Sequence, residues 1–208
     1  SLNGRGPAHI NMYTKYSRDF SVKEISPVHV IYRHTIFEDK LPDIPRDGRI
    51  IVFIGAHANF SERLTEAVDK FCATYDAVVL CDHTSGYRGK YEVHYQLVCG
   101  QQLWQSPLAQ ANLCIHIGEV SGNSFKVKTT NTWRVSPDGA LRDTFGNLRR
   151  VFMMPEELFF ERYASDNASH TEYRDAMLSE VEAMKAKLPE LPFSNCLLYT
   201  SPSPRDTE

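Results

Sequence analysis

Three short stretches gather the residue types that do chemistry: Gly55-Ala56-His57, Asp82-His83-Thr84-Ser85-Gly86, and Gly118 to Ser124, which reads GEVSGNS. The second offers an acid, a base and a hydroxyl, the materials of a hydrolytic triad. Neighbouring residues of a strand point to opposite faces, so Asp82 does not simply orient His83 there. No G-x-S-x-G elbow is present, and a triad is defined by a geometry that this spacing does not supply. Cys81, His83 and Cys99 are zinc donors by type, but the paired ligand spacing of a zinc site is missing. The third stretch is the most suggestive. Two Gly, two Ser and an Asn after a strand can turn backbone N–H groups toward an anion. It is not G-x-G-x-x-G and no P-loop lysine follows, so a plain strand-to-loop turn is the preferred reading. His116 interrupts an apolar strand and reads as a satisfied core histidine. Trp133 and Arg134, beside SPDG, could stack or bind a carboxylate; packing at a sheet edge is the expectation. No complete catalytic set emerges, and no metal site is expected.

These stretches matter because of where they fall. RIIVFIG (49–55) is a short apolar run rich in β-branched residues, which predicts a buried parallel strand. In the segment that follows, Ser61 is a plausible N-cap, and Leu64, Ala67, Val68 and Phe71 share one helical face. AVVLCD (77–82) is a second buried strand, which closes a right-handed βαβ unit. ANLCIHIG, TTNTWRVS and LRRVFMM supply three more strands. Pro155 suits a helix start, and a last helix runs from about His170 to Leu188. The fold class is α/β: a Rossmann-like open, mostly parallel sheet of five to six strands with helices on both faces, preceded by an N-terminal linker. In such sheets ligands gather at the carboxyl ends of the strands, where all three stretches sit.

The bulk composition narrows the function. Of 208 residues, 42% are apolar and 24% charged, as in ordinary globular domains, and the net charge is -3. A slightly acidic chain is a poor match for a nucleic-acid binder held by phosphate contacts. No apolar run is long enough to span a membrane. Five cysteines, at positions 72, 81, 99, 114 and 196, are odd in number and lack C-x-x-C spacing, which favours reduced thiols in a cytoplasmic protein. Residues 13–48 hold one strand candidate, VHVIYRHTIF, and then a proline-rich charged stretch. That predicts an interdomain linker, followed by a central domain over 49–188.

Two segments carry a family resemblance. GRGPAHIN resembles the Gly-Pro-Val-His-Ile-Asn segment that closes the first domain of thiamine-diphosphate-dependent decarboxylases and synthases. Its His-Asn ending is most similar to the SEPHCHOL synthase branch of the menaquinone pathway. ELPFSN resembles the opening of the third domain of such enzymes. The resemblance implies that residues 1–12 end a pyrimidine-binding domain and that residues 189–195 begin a diphosphate-binding domain. It implies a 2-oxo acid substrate, decarboxylation with carboligation, thiamine diphosphate with Mg²⁺ in the whole enzyme, and a homo-oligomer, dimer or tetramer. The family's activating glutamate and Gly-Asp-Gly motif are not in this sequence, so this chain alone is expected to bind no cofactor and catalyse nothing. In the branch, the loop after the third central strand carries a Lys-Arg pair that meets substrate carboxylates. Here the loop continues Asn123, Ser124, Phe125, Lys126, and the resemblance assigns Asn123, Ser124 and Lys126 to substrate binding. Some relatives carry FAD or ADP on this domain; no residue here argues for either.

Residues 196–208 change texture. LLYTSPSPRD resembles a translated sequencing adapter, which would make the tail non-native; a natural Ser/Pro-rich terminus is the rival. Two other functions stay open: a stand-alone nucleotide-binding module using the Gly118–Ser124 loop, and a purely structural or oligomerisation domain.

Overall fold

The run that begins at Arg49 becomes strand β2 (Ile50–Ile54), buried at every position. Its alternate residues feed two layers. Ile50, Val52 and Ile54 enter one core, and Ile51 and Phe53 enter the other. A strand buried on both faces cannot alternate apolar with polar, which is why the run is continuous. Helix α1 (Glu62–Tyr75) follows, and Ser61 caps it by accepting the Leu64 N–H at 3.1 Å. The helix buries Leu64, Ala67, Val68, Phe71 and Cys72. It ends at Asp76, in the left-handed region at φ 48°. The chain then enters β3 (Ala77–Cys81), which pairs in parallel with β2.

The computed structural model describes residues 15, 16, 18, 21, 30–46, 48–100, 105–119, 128–166 and 168–188. Residues 1–12, 189–195 and 196–208 lie outside the described residues. The remaining elements are β1 (Tyr32–Thr35), α2 (Gln96–Cys99), β4 (Gln110–Ala111), β5 (Leu113–Ile117), β6 (Lys128–Thr129), β7 (Thr132–Val135), β8 (Leu148–Met153), α3 (Glu156–Tyr163) and α4 (Glu172–Lys185). Six strands form one sheet in the order β1-β8-β7-β5-β2-β3, and every neighbouring pair is parallel. Strands β4 and β6 form a separate two-stranded sheet. Without β1, the order is that of a doubly wound sheet whose chain reverses direction between β2 and β5.

Helices cover both faces. On one, α1 and α3 pack Phe71 against Phe160, ring centroids 5.3 Å apart, with Phe159 against Phe152 of β8. On the other, Tyr173, Met177 and Val181 of α4 lie on Ile51, Phe53, Val78 and Leu80. Burying each such side chain stabilises the fold by about 1.5–3 kcal/mol. Asp76 joins the elements, since its carboxylate accepts the Tyr173 N–H in the first turn of α4.

The strand read inside the linker belongs to this sheet. β1 pairs with β8 from Tyr32↔Arg150 to Thr35↔Met153. Arg150 Nη1 lies 3.0 Å from His34 Nε2, and His34 Nδ1 lies 2.8 Å from Glu38 Oε2, which ties β1 to β8 and to the turn that follows β1. At the other edge, β3 is covered rather than open: Val79 N–H donates to Tyr91 O and Val93 N–H to Val79 O. β7 is interior, between β5 and β8, so Trp133 and Arg134 do not pack a sheet edge as the sequence suggested. Among the described residues, no helix is long and apolar enough to cross a membrane.

Candidate functional site

The carboxyl ends of β2 and β5 flank the point where the chain reverses, the place where open α/β sheets hold ligands. Here the two loops are tied to each other. Gly55 N–H donates to Ile117 O at 2.9 Å, and Glu119 N–H donates to Ala56 O at 3.0 Å. The Ala56 N–H returns a bond to Glu119 O, which completes a small antiparallel bridge. The glycines permit this approach. A Cβ on Gly55 would lie 2.1 Å from Glu119 O. Gly118 has φ +70°, and a Cβ there would lie 2.4 Å from His57 Cε1. Both glycines therefore bring loop against loop, whereas in a dinucleotide fold they bring backbone against phosphate.

His57 and Glu156 lock the crevice further. His57 Nδ1 lies 2.9 Å from Gly55 O, and its Nε2 lies 2.9 Å from Glu156 Oε2. A carbonyl oxygen and a carboxylate both accept, so both ring nitrogens must donate and the ring is an imidazolium. Burial works against that charge. The hydrogen bond and charge of Glu156, with the Gly55 carbonyl, outweigh burial and raise the His57 pKa above its ordinary value. The other carboxylate oxygen accepts the Gly118 N–H at 3.2 Å. Glu156 is the first residue of α3, where a negative charge also suits the helix dipole. With both nitrogens committed, His57 has no lone pair for general base work. Gly118 N–H, an obvious donor to a phosphate, is already used.

A second layer lies beside this clamp. Across the sheet Phe53, His116 and Arg134 are register neighbours. His116 is buried, with Phe53 and Phe145 edge-on to its ring. Burial, then the nearby Arg134 charge, push its pKa down to about 3, so it is neutral at ordinary pH. It is the satisfied core histidine that the sequence suggested. Arg134 has a side chain only 1% exposed. Its Nη1 donates to Gly118 O at 2.8 Å and lies 3.2 Å from His116 Nδ1. Its Nη2 reaches Glu119 Oε1 at 3.3 Å. Arg142 joins the same carboxylate at 3.6 Å and pairs with Asp138 at 2.8 Å. Among the described residues, Arg134 Nε has no hydrogen-bond partner.

The other candidates disperse. His83 Nδ1 does meet Asp82 Oδ1 at 3.1 Å, because both lie beyond the last residue of β3. But His83 is 76% exposed while Ser85 is fully buried, so no triad forms. Asp82 and His83, without Ser85, line a groove of about 360 Å³ with Arg88, Glu92 and His94. Among the described residues, no group of three or more His, Cys, Asp or Glu could hold a metal. That includes the Cys81, His83 and Cys99 combination. Asp138-Gly139 does not fit a metal-diphosphate site either. Asp138 accepts from Ser136 Oγ and the Ala140 N–H and pairs with Arg142, and these partners hold its pKa down at about 2 despite burial. Asn123, Ser124 and Lys126 lie outside the described residues.

The local sequence around His57, His116 and Arg134 names no partner for any of them, and 99 residues separate His57 from Glu156. The one available signal is a glycine closing each of two apolar strands, Gly55 after β2 and Gly118 after β5. The arrangement as a whole is suited to holding charge in place, and it lacks a free nucleophile or base. No family model and no curated protein matches this chain.

Proposed function

We propose that the chain is the central α/β part of a thiamine-diphosphate-dependent enzyme acting on a 2-oxo acid, by decarboxylation with carboligation as in the SEPHCHOL synthase branch. In this reading it spaces the two catalytic domains of a homo-oligomeric cytoplasmic enzyme and borders the substrate pocket with the loop that follows Gly118. In this reading thiamine diphosphate and Mg²⁺ are held by the flanking catalytic domains of the whole enzyme. The observation that carries the proposal is the locked crevice at the chain-reversal point. His57, Glu156 and the two glycines occupy the place where a free-standing nucleotide module would hold its phosphates. That favours a domain that has kept the sheet but not a nucleotide of its own.

The test is to read the source DNA past the Asn195 codon and express the longer protein. The expected outcome is a Gly-Asp-Gly segment downstream and CO₂ release from a 2-oxo acid that needs both thiamine diphosphate and Mg²⁺. A frame without that segment, or a longer protein with no such activity, would overturn the proposal. Tight binding of ADP, FAD or NAD by this chain would favour the nucleotide module.

A further inference from the structure

We infer that Arg134 and Arg142 form a carboxylate-binding subsite and that the Glu119 side chain is its internal placeholder. The argument starts from the cost of Arg134. A guanidinium placed among buried residues loses its hydration, and such a charge is tolerated only when it is well paired. Its register neighbours His116 and Val151, and Phe53 beyond His116, are apolar or neutral. Its pairing is incomplete. Only the bond to Gly118 O, at 2.8 Å, is short. Nε donates to nothing among the described residues, and Nη2 reaches Glu119 only at 3.3 Å. Charge-assisted bonds of this kind ordinarily close to about 2.7–2.9 Å. A buried cation with an unused donor is a local inconsistency of the sort that proteins keep at binding sites.

Glu119 shows what the site accepts. Its side chain is 62% exposed, yet its Oε1 reaches toward both Arg134 and Arg142. Contacts that long, made by so exposed a group, stabilise little. The carboxylate can leave for water at small cost. Its departure leaves three cations, His57, Arg134 and Arg142, facing two acids, Glu156 and Asp138. Nε and Nη2 of Arg134 then present the parallel pair of donors that a planar carboxylate takes in bidentate fashion. The ligand class is a small carboxylate. That a 2-oxo acid supplies it in the working enzyme rests on the proposed function.

The experiment is a calorimetric titration of the 208-residue chain with succinate, using inorganic phosphate as the competitor. Glu119→Gln should bind succinate about 5-fold more tightly than wild type, the factor for removing a competing contact of about 1 kcal/mol. Arg134→Lys keeps the charge but loses the planar fork, and should weaken binding at least about 10-fold. Circular dichroism confirms that each variant is folded. The inference falls if neither wild type nor Glu119→Gln gives heat at about 10 mM succinate, above the range of weak specific sites. It falls equally if Arg134→Lys binds as wild type, or if phosphate competes as well as succinate on a molar basis. Succinate binding needs no thiamine diphosphate and no flanking domain. Binding without decarboxylase activity in the longer protein would sink only the proposed function, and activity without binding only this inference.

Discussion

Replacing Glu156 with Gln should reverse the pH dependence that His57 gives to stability. In the wild type the folded-state pKa of His57 is raised above 6.5. The stabilisation from its ionic bond is therefore complete below about pH 6.5 and is lost as pH rises through the folded value. Gln keeps the shape and can still accept the Gly118 N–H. Its NH₂ then faces His57 Nε2, which suits a neutral ring that donates through Nδ1 to Gly55 O. Without the carboxylate, burial and the Arg134 charge both work against protonation, so the variant should lose stability as pH falls below about 6.5. A charge-assisted bond contributes about 1.5–3 kcal/mol and a neutral one about 1, so the loss at pH 6 should be about 0.5–2 kcal/mol. With a urea m-value of about 2 kcal/mol/M, the midpoint moves by about 0.25–1 M at pH 6 and by little at pH 8.5. Glu156→Ala also strands the Gly118 N–H and should cost about 1–3 kcal/mol more than Glu156→Gln. Equal wild-type and Glu156→Gln midpoints at pH 6, or an offset that stays constant from pH 6 to 8.5, would refute the ionic reading. An NMR titration placing His57 at or below 6.5 in the wild type would do the same.

Three further outcomes are expected. Ser61→Ala removes the cap of α1 and should cost about 1 kcal/mol in urea unfolding, while Ser61→Asp should restore most of it. Gly118→Ala forces a side chain into the left-handed region and onto the His57 ring; a loss of about 2 kcal/mol or more in thermal or urea melts is expected, against a smaller loss of about 1 kcal/mol for Gly146→Ala, which shares the left-handed φ but meets no neighbour. Cys72 and Cys114 are fully buried and their thiol pKa values are raised by burial, that of Cys114 to about 12, so neither should react with a thiol reagent at pH 8 until urea unfolds the chain. Mass mapping of the labelled cysteines reads that directly.

The elements that sequence reading recovered are those whose signal is local. The strands at RIIVFI, AVVLC and LCIHI needed only a continuous apolar run, and α1 needed only its cap and one apolar face. β1 was recognised as a strand but placed in a linker, because YRHT carries no mark of the partner it will find. Only the completed sheet sets it against β8. Arg134 misled for a related reason. A charged residue in a four-residue strand normally indicates an edge, and the tertiary pairing that makes β7 interior is not written near it. The His57–Glu156 clamp was out of reach because a strand end and a helix start meet only through the fold.

The position of β1 also sets an order of assembly. β2 and β3 are joined by one helix and can pair as soon as both exist. β1 must wait for β8, whose Arg150 lies 116 residues beyond His34. Closing so long a loop is slow and is rewarded only when the rest of the sheet is in place. During synthesis β1 leaves the ribosome before the other described strands of this sheet and is thus the last of them to be seated. Until then the outer edge of β8 stands open, a template for the wrong chain. Pulse-labelled hydrogen exchange during refolding should find the amides of β2 and β5 protected before those of β1, and simultaneous protection would argue against this order.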